Sequence, residues 1–290
     1  EVMQAIVDSP HYRSELSGPY RGRGVALGFW GANSGTHSVN ATLQSDGRVL
    51  LTTGAVDIGG LRAVEAQVMA EVLGVAYEDV SPHYADTDSI GFSGLTAGSG
   101  TGSGISASVY HVAQQIKQRV IERAAGIGGV DAATVAYDAT TATMTSGEHT
   151  MTLKELAGRQ AATGGYISGH VDLGGATGAP TYGGHIVDVE IDPETGKTTI
   201  LRYTCVQDVG QVLHRAYVEG QIQGGAVQGI GMALTEEYYY TPDGVLRNGS
   251  LLDYRIPTAL DTPNIETIVV EVPHPGHPDR KSTRLNSSHT

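Results

Sequence analysis

The sequence predicts an α+β fold made from two copies of a hairpin-plus-helix unit, and three observations predict it. Two short alternating runs joined by a turn occur twice, over His37–Thr53 and again over His185–Cys205. Each pair leads into an Asp-(Ile/Val)-Gly turn, Asp57-Ile58-Gly59 and Asp208-Val209-Gly210, and then into helical spacing, with the copies roughly 150 residues apart. Glycine supplies 40 of 290 residues, about twice the usual share, so backbone must approach backbone or a ligand closely in many places.

The elements follow in order. Glu1–Tyr20 carries a short helical pattern (Val2, Ala5, Ile6) and then Ser-Gly-Pro, which reads as a linker or the edge of another domain. Gly24–Trp30 is a strand of small residues. His37–Leu43 and Val49–Thr53 alternate around Asp46-Gly47, a strong hairpin signal. After Gly59-Gly60, the residues Leu61, Val64, Val68 and Val72 lie at helical spacing, with Gly74 as the stop. Val80–Ala85 is the next strand. It delivers the chain to Gly94–Gly104, a stretch with five glycines and no charge, and then to a helix over Ile105–Ala125 whose apolar stripe is Ile105, Val109, Val112, Ile116 and Val120. Val130–Met151 reads as a small Thr-rich sheet, Thr152–Ala157 as a short helix, and Ala161–Gly178 as a Gly-rich crossing connection. In the second copy the turn is Asp192–Lys197, and the helix contains the small-residue pairs Gly220/Gly224 and Gly225/Gly229, which close helix–sheet packing would explain. A strand over Ile265–Val272 and the segment Pro273–Pro278 end the periodic part.

Bulk composition excludes several functions. The formal net charge of −13, with Lys and Arg scattered, leaves no basic stripe for nucleic acid. The single cysteine, Cys205, excludes an intrachain disulfide, a cysteine zinc site and an iron–sulfur cluster held by this chain. No run approaches the ~18 apolar residues of a membrane span. The loop after the Val80 strand has two readings. Its bare amides at a helix start suit phosphate or another anion, and its Gly/Ser composition also suits a flexible linker. It contains no Gly-Lys-(Ser/Thr), does not complete Gly-x-Gly-x-x-Gly, and has no Gly-x-Ser-x-Gly elbow. His274 and His277 could pair on a metal but sit between prolines, as a surface turn would. Asp86 and Asp88 suit either a divalent ion or loop capping, and Glu236-Glu237 suit either an acid–base pair or a solvated end.

Blocks spread over Arg21–Pro278 resemble the second cofactor-binding domain of the molybdopterin-binding large subunit in the xanthine dehydrogenase/aldehyde oxidase family. They are Gly22-Arg-Gly-Val-Ala with Gly28-Phe-Trp30, Val56-Asp-Ile-Gly-Gly60 with Arg62, Asp86-Thr-Asp-Ser89 with Thr96-Ala-Gly-Ser99, Val187–Gly196, Asp208-Val-Gly210, Gly220–Gly225, Gln228–Gly231 and Leu252-Asp-Tyr254. The resemblance implies a duplicated α+β molybdenum-cofactor-binding domain over 21–278 with subdomains 21–160 and 180–278. It implies a pterin, in plain or cytosine-dinucleotide form, held by Gly59, Gly60, Gly98, Ser99, Gly100, Thr101 and Gln221, with no protein ligand to the metal from this chain. It further implies hydroxylation of an aldehyde, purine or N-heteroaromatic with water-derived oxygen. Partner domains or subunits would carry 2Fe-2S clusters and FAD or a cytochrome, in an oligomeric cytoplasmic enzyme, co-export to the periplasm being the alternative. The rival class is a non-catalytic α+β binding or assembly module whose glycines serve packing.

The sequence departs from the family at four places. Gly60 stands where relatives often have Gln, Gly100 where many have Arg, and His214-Arg215 where Asn-Pro is usual. After Pro278 the family continues with a Gly-rich segment ending in its general-base Glu, whereas residues 279–290 read DRKSTRLNSSHT and resemble translated adaptor sequence at the ends of assembled metagenomic reads. The expectation is a non-native tail, a lost catalytic Glu and a fragment without turnover.

Overall fold

A computed structural model describes residues 1–31, 35–84, 87–174, 180–273 and 276. The chain opens with helices α1 (Val2–Asp8) and α2 (Pro10–Arg13) and strand β1 (Arg21–Gly31). Then come β2 (His37–Leu43), β3 (Val49–Thr53), α3 (Leu61–Leu73), β4 (Val80–Tyr84) and α4 (Thr101–Gly128). β5 (Ala136–Asp138), β6 (Thr143–Ser146), β7 (His149–Thr152), α5 (Leu153–Arg159) and β8 (Ser168–Leu173) follow. The last elements are β9 (Pro180–Ile191), β10 (Thr198–Asp208), α6 (Arg215–Leu234) and β11 (Ile265–Val270). Contacts sort these into two compact units: an inserted unit, Ala32–Ala179, and a split unit, Glu1–Gly31 with Pro180–Val272.

In the inserted unit, the predicted hairpin closes as the Asp-Gly turn demands. Gly47 takes a φ of +93°, and Asp46 Oδ1 accepts the Arg48 amide at 3.0 Å. Val39 pairs with Thr53 and Leu43 with Val49. α3 then crosses over so that β4 lies parallel to β3, in a sheet of order β4-β3-β2-β8. Gly74 ends α3 in the left-handed region at φ +70°, where a Cβ would strike the Ala139 carbonyl. α4 lies on this sheet through Ile105, Val109, Val112, Ile116 and Val120, all fully buried. Each such side chain contributes about 1.5–3 kcal/mol. β5-β6-β7 form the small separate sheet, and α5 starts at a capping box in which Thr152 and Glu155 satisfy each other's amides.

The split unit repeats the scheme. Its sheet runs β1-β9-β10-β11, with β9 and β10 antiparallel and β10 and β11 parallel across the α6 crossover. β1 stands beside β9 as β8 stands beside β2, so the duplication extends to all four strands of each sheet.

Four placements differ from the sequence reading. β1, assigned with the first half, pairs with β9 along its whole length, from Arg21–Glu190 to Gly31–Pro180, and so belongs with the second. The stretch 1–20 is more than a linker, because Val2 and Ile6 are buried with Ile186 and Val206. Beyond them, buried His11 lies 2.8 Å from Thr204 Oγ1 and 3.1 Å from Asp188, which also takes two bonds from Arg23 at 2.6 and 2.8 Å. Finally, α4 starts four residues before Ile105 and absorbs Gly102 and Gly104. Burial of its first turn outweighs the roughly 1 kcal/mol cost of each helical glycine. β8 arises within the Gly-rich 161–178 stretch, where too few apolar residues alternate to announce a strand. Asp86, the His274/His277 pair and the tail 279–290 lie outside the described residues.

Candidate functional site

Six of the seven predicted site residues lie in the inserted unit, on two turns that its sheet brings side by side. The first turn leaves β3 after Thr53 and ends at Gly59 and Gly60, with φ of +70° and +87°; Gly60 is the N-cap of α3. Only glycine takes two successive left-handed conformations cheaply. Asp57 braces this turn by accepting the Arg62 amide at 3.4 Å and pairing with its guanidinium at 3.5 Å.

The second turn enters α4 through Gly98, Ser99 and Gly100. Gly98 and Ser99 have φ of +63° and +58°, and Gly100 is the N-cap. A serine held left-handed stores of the order of 1–2 kcal/mol, a cost that clusters where backbone must be aimed. Thr96 stitches the turns together: its Oγ1 accepts the Val56 amide at 3.2 Å and donates to the Val56 carbonyl at 3.1 Å. Ser93 closes the rear, accepting the Ser38 amide at 3.2 Å, and a Cβ on Gly54 would sit 2.7 Å from its Oγ.

This geometry presents a positive pole. α4 is 28 residues long, has no side-chain cap at Gly100 and carries no acidic residue in its first turn. The dipole and first-turn amides of such a helix favour an anion. A Cβ at Gly98 would meet nothing within 4 Å, so the approach to the turn is open. Ser99 and Thr101 turn their side chains inward, 6% and 2% exposed. Gly100 supplies only backbone to this turn.

The seventh residue, Gln221, is on α6 in the split unit. Its Oε1 is buried and accepts no hydrogen bond among the described residues. α6 is capped by His214, whose Nδ1 accepts the Tyr217 amide at 3.4 Å while the two rings stack at 4.1 Å. A histidine thus performs the capping that Asn usually provides. Packing accounts for fewer of the α6 glycines than helix–sheet contact predicts. A Cβ at Gly231 would strike Glu236, but Gly220, Gly224 and Gly229 meet nothing within 4 Å. Glu236 has a structural partner, accepting from the Tyr254 hydroxyl at 2.8 Å.

Sequence reasoning missed Glu65. It lies on α3, fully buried, with neither carboxyl oxygen hydrogen-bonded among the described residues. Burial, reinforced by Asp57 and only partly offset by Arg62, pushes its pKa up to about 8. The signal was its position one turn after Leu61, on the apolar face. Close by, Arg62 lies over the Tyr84 ring at 4.6 Å.

Among the described residues no three His, Cys, Asp or Glu side chains gather as a metal site, and no helix is long and apolar enough to cross a membrane. What the turns offer is backbone amide N–H groups at an uncapped helix start, a donor set suited to a phosphate-bearing group rather than to a bare metal ion. Residues 9–263 match the family model described as the molybdopterin cofactor-binding domain. The chain belongs to that family. It is 32% identical over 275 residues to a putative xanthine dehydrogenase molybdenum-binding subunit of Escherichia coli, which covers 88% of this chain. It is likewise 32% identical over 241 residues to the gamma subunit of the 6-hydroxypseudooxynicotine dehydrogenase complex of Paenarthrobacter nicotinovorans, covering 78% of this chain. The fold matches a Cu,Mo-CO dehydrogenase with a TM-score of 0.85 at 22% identity, over 93% of this chain and 36% of that one. It also matches quinoline 2-oxidoreductase from Pseudomonas putida 86, with a TM-score of 0.81 at 27% identity and coverage of 93% and 37%. The chain spans 36% of the E. coli subunit and 29% of the P. nicotinovorans one.

Proposed function

We propose that this molybdopterin-binding domain is the cofactor-holding part of a molybdenum hydroxylase large subunit acting on an aldehyde, purine or N-heteroaromatic. The observation that carries the reading is the pair of stitched glycine turns at the uncapped start of α4. Gly98, Ser99, Gly100 and Thr101 would hold the phosphate of the cofactor, in plain or cytosine-dinucleotide form, through backbone amides, with Gly59 and Gly60 lining the neighbouring turn. Gln221 would accept a pterin N–H at its orphaned Oε1. When bound, the cofactor supplies two-electron oxidation; the protein's part is to fix its position by groups that need no reorganisation. Iron–sulfur and flavin or cytochrome partners would take the electrons in an oligomeric cytoplasmic complex.

The test is molybdenum content and released pterin of the complete large subunit carrying Gly98→Trp or Thr96→Val, each checked for an unchanged melting temperature. The expected result is a fall in both contents of about tenfold, since each change removes on the order of 1–2 kcal/mol of pre-formed geometry. Wild-type loading in both variants would return the turns to a structural role.

A further inference from the structure

Behind the first glycine turn, the inserted unit places one guanidinium among three groups that can hold it. Asp57, in the turn, accepts the Arg62 amide at 3.4 Å and faces its guanidinium at 3.5 Å. Both members of that pair meet solvent, with side-chain exposures of 56% for Arg62 and 32% for Asp57, so the pair is weak. Tyr84 of β4 offers its ring, which Arg62 covers at 4.6 Å. Glu65 follows Arg62 by three residues on α3, the spacing at which helical side chains are neighbours. It is fully buried, and neither carboxyl oxygen is hydrogen-bonded among the described residues.

The elements packed around Glu65 supply few charges. Burial and then Asp57 push its pKa up to about 8, and Arg62 is the cation that opposes them. β4 supplies Tyr84, kept neutral chiefly by burial and further by Glu65 and Asp57, while His83 lies on the other face of the sheet. β3 has no titratable side chain, and His37 of β2 is held neutral by burial, its pKa lowered to about 4. Over Thr101–Ile116, α4 carries only Tyr110 and His111, whose rings lie edge to face against each other. With its proton on, Glu65 needs no counter-charge, and Asp57 keeps Arg62. Without it, an unpaired carboxylate stands in the core, a state far more costly than the loss of an exposed ion pair. Arg62 is the cation placed to relieve it.

We propose that Glu65 is a positioning residue for the first glycine turn: protonated, it leaves Arg62 on Asp57 and the turn closed; ionised, it draws Arg62 inward and the turn loosens. Control over the grip on a cofactor rests on the reading above, whereas the loosening and its measurement do not. The test is amide hydrogen exchange by mass spectrometry on the full 290-residue chain at pH 6.5 and 9, each rate divided by its intrinsic rate at that pH. Three amides of the turn report: Val56 bonded to Thr96, Ile58 to the Val56 carbonyl and Arg62 to Asp57. The expected result is a loss of protection there of about three- to fivefold at pH 9, the worth of an exposed ion pair, by local opening far below the protection of α4. Glu65→Gln keeps its pH 6.5 protection at pH 9. Asp57→Asn has low protection at both pH values, because no pair remains to be lost although Glu65 still titrates. Wild-type protection that does not change with pH, the same loss in Glu65→Gln, a pH dependence that survives in Asp57→Asn, or turn protection equal to that of α4 would each overturn the proposal. None of these readouts involves molybdenum, so failure here leaves the cofactor reading standing, and the reverse.

Discussion

Replacing Glu65 with glutamine keeps the shape of the side chain and removes its proton equilibrium, which isolates what a buried carboxyl costs this fold. In the folded chain its pKa is raised from 4.5 to about 8, first by burial and then by Asp57, against a smaller opposing effect of Arg62. The folded state therefore keeps a proton that the unfolded chain releases between those two values, and stability must fall as pH rises through that window. The slope reaches about 1.4 kcal/mol per pH unit. Over the window from 4.5 to about 8 the loss amounts to about 5 kcal/mol at most, and it levels off above it. Glutamine carries no such penalty, so Glu65→Gln should match wild type near pH 4.5 and exceed it progressively up to pH 8. At about 2–4 °C per kcal/mol for a unit of this size, the gap in melting temperature at pH 8 should reach on the order of 10 °C. Thermal melts of both proteins by circular dichroism at pH 5, 6.5 and 8 measure it. Parallel pH dependences would refute the reasoning and place the Glu65 carboxylate in contact with water or a cation.

Two further outcomes follow from the split unit. Arg23→Ala leaves Asp188, which is 4% exposed, with only His11, whose pKa burial lowers, as its remaining ion-pair partner; breaking so buried a pair should cost about 3–5 kcal/mol in urea denaturation at pH 7. Because Arg23, above all, holds Asp188 below the usual carboxylate range, the wild-type advantage should shrink as pH falls beneath 3.8, and an advantage that persists there would count against the pair. Cys205, buried with its thiol pushed up to about 12, should resist iodoacetamide at pH 8 in the native chain and react on unfolding. Stoichiometric native alkylation, read by mass spectrometry, would contradict that placement.

Much of the fold was legible because local chemistry and tertiary demand agree. The Asp46-Gly47 turn, the Leu61–Leu73 helix with its Gly74 stop and the Ile105–Val120 stripe each state a conformation that burial then reinforces. β8 and the start of α4 were not legible for the converse reason, since glycine-rich backbone becomes strand or helix there only when a neighbouring surface covers it. At the site, Gly59, Gly60 and Gly98 announced special backbone, and all three take left-handed φ. Ser99 gave no such signal, because a serine reveals its left-handed φ only once Gly98 and Gly100 are placed around it. Glu65 was visible as an acid on an apolar face, but its isolation depends on what the sheet and α4 leave for it to contact. The neighbourhood of Gln207 and His185 depends on cross-strand pairing between β9 and β10, which one-dimensional spacing does not encode.

The interruption of the split unit by the inserted one has a consequence for how the chain is made. β1 leaves the ribosome well before its partner β9, since Arg21 pairs with Glu190 across the whole inserted unit. At 5–20 residues per second, an apolar edge bearing Val25, Leu27 and Phe29 waits roughly 10–30 s for that partner. The continuous stretch Ala32–Ala179 of the inserted unit can fold during the delay. Synthesis thus imposes an order on assembly, and the waiting strand is the segment through which a chaperone would most profitably hold the nascent chain.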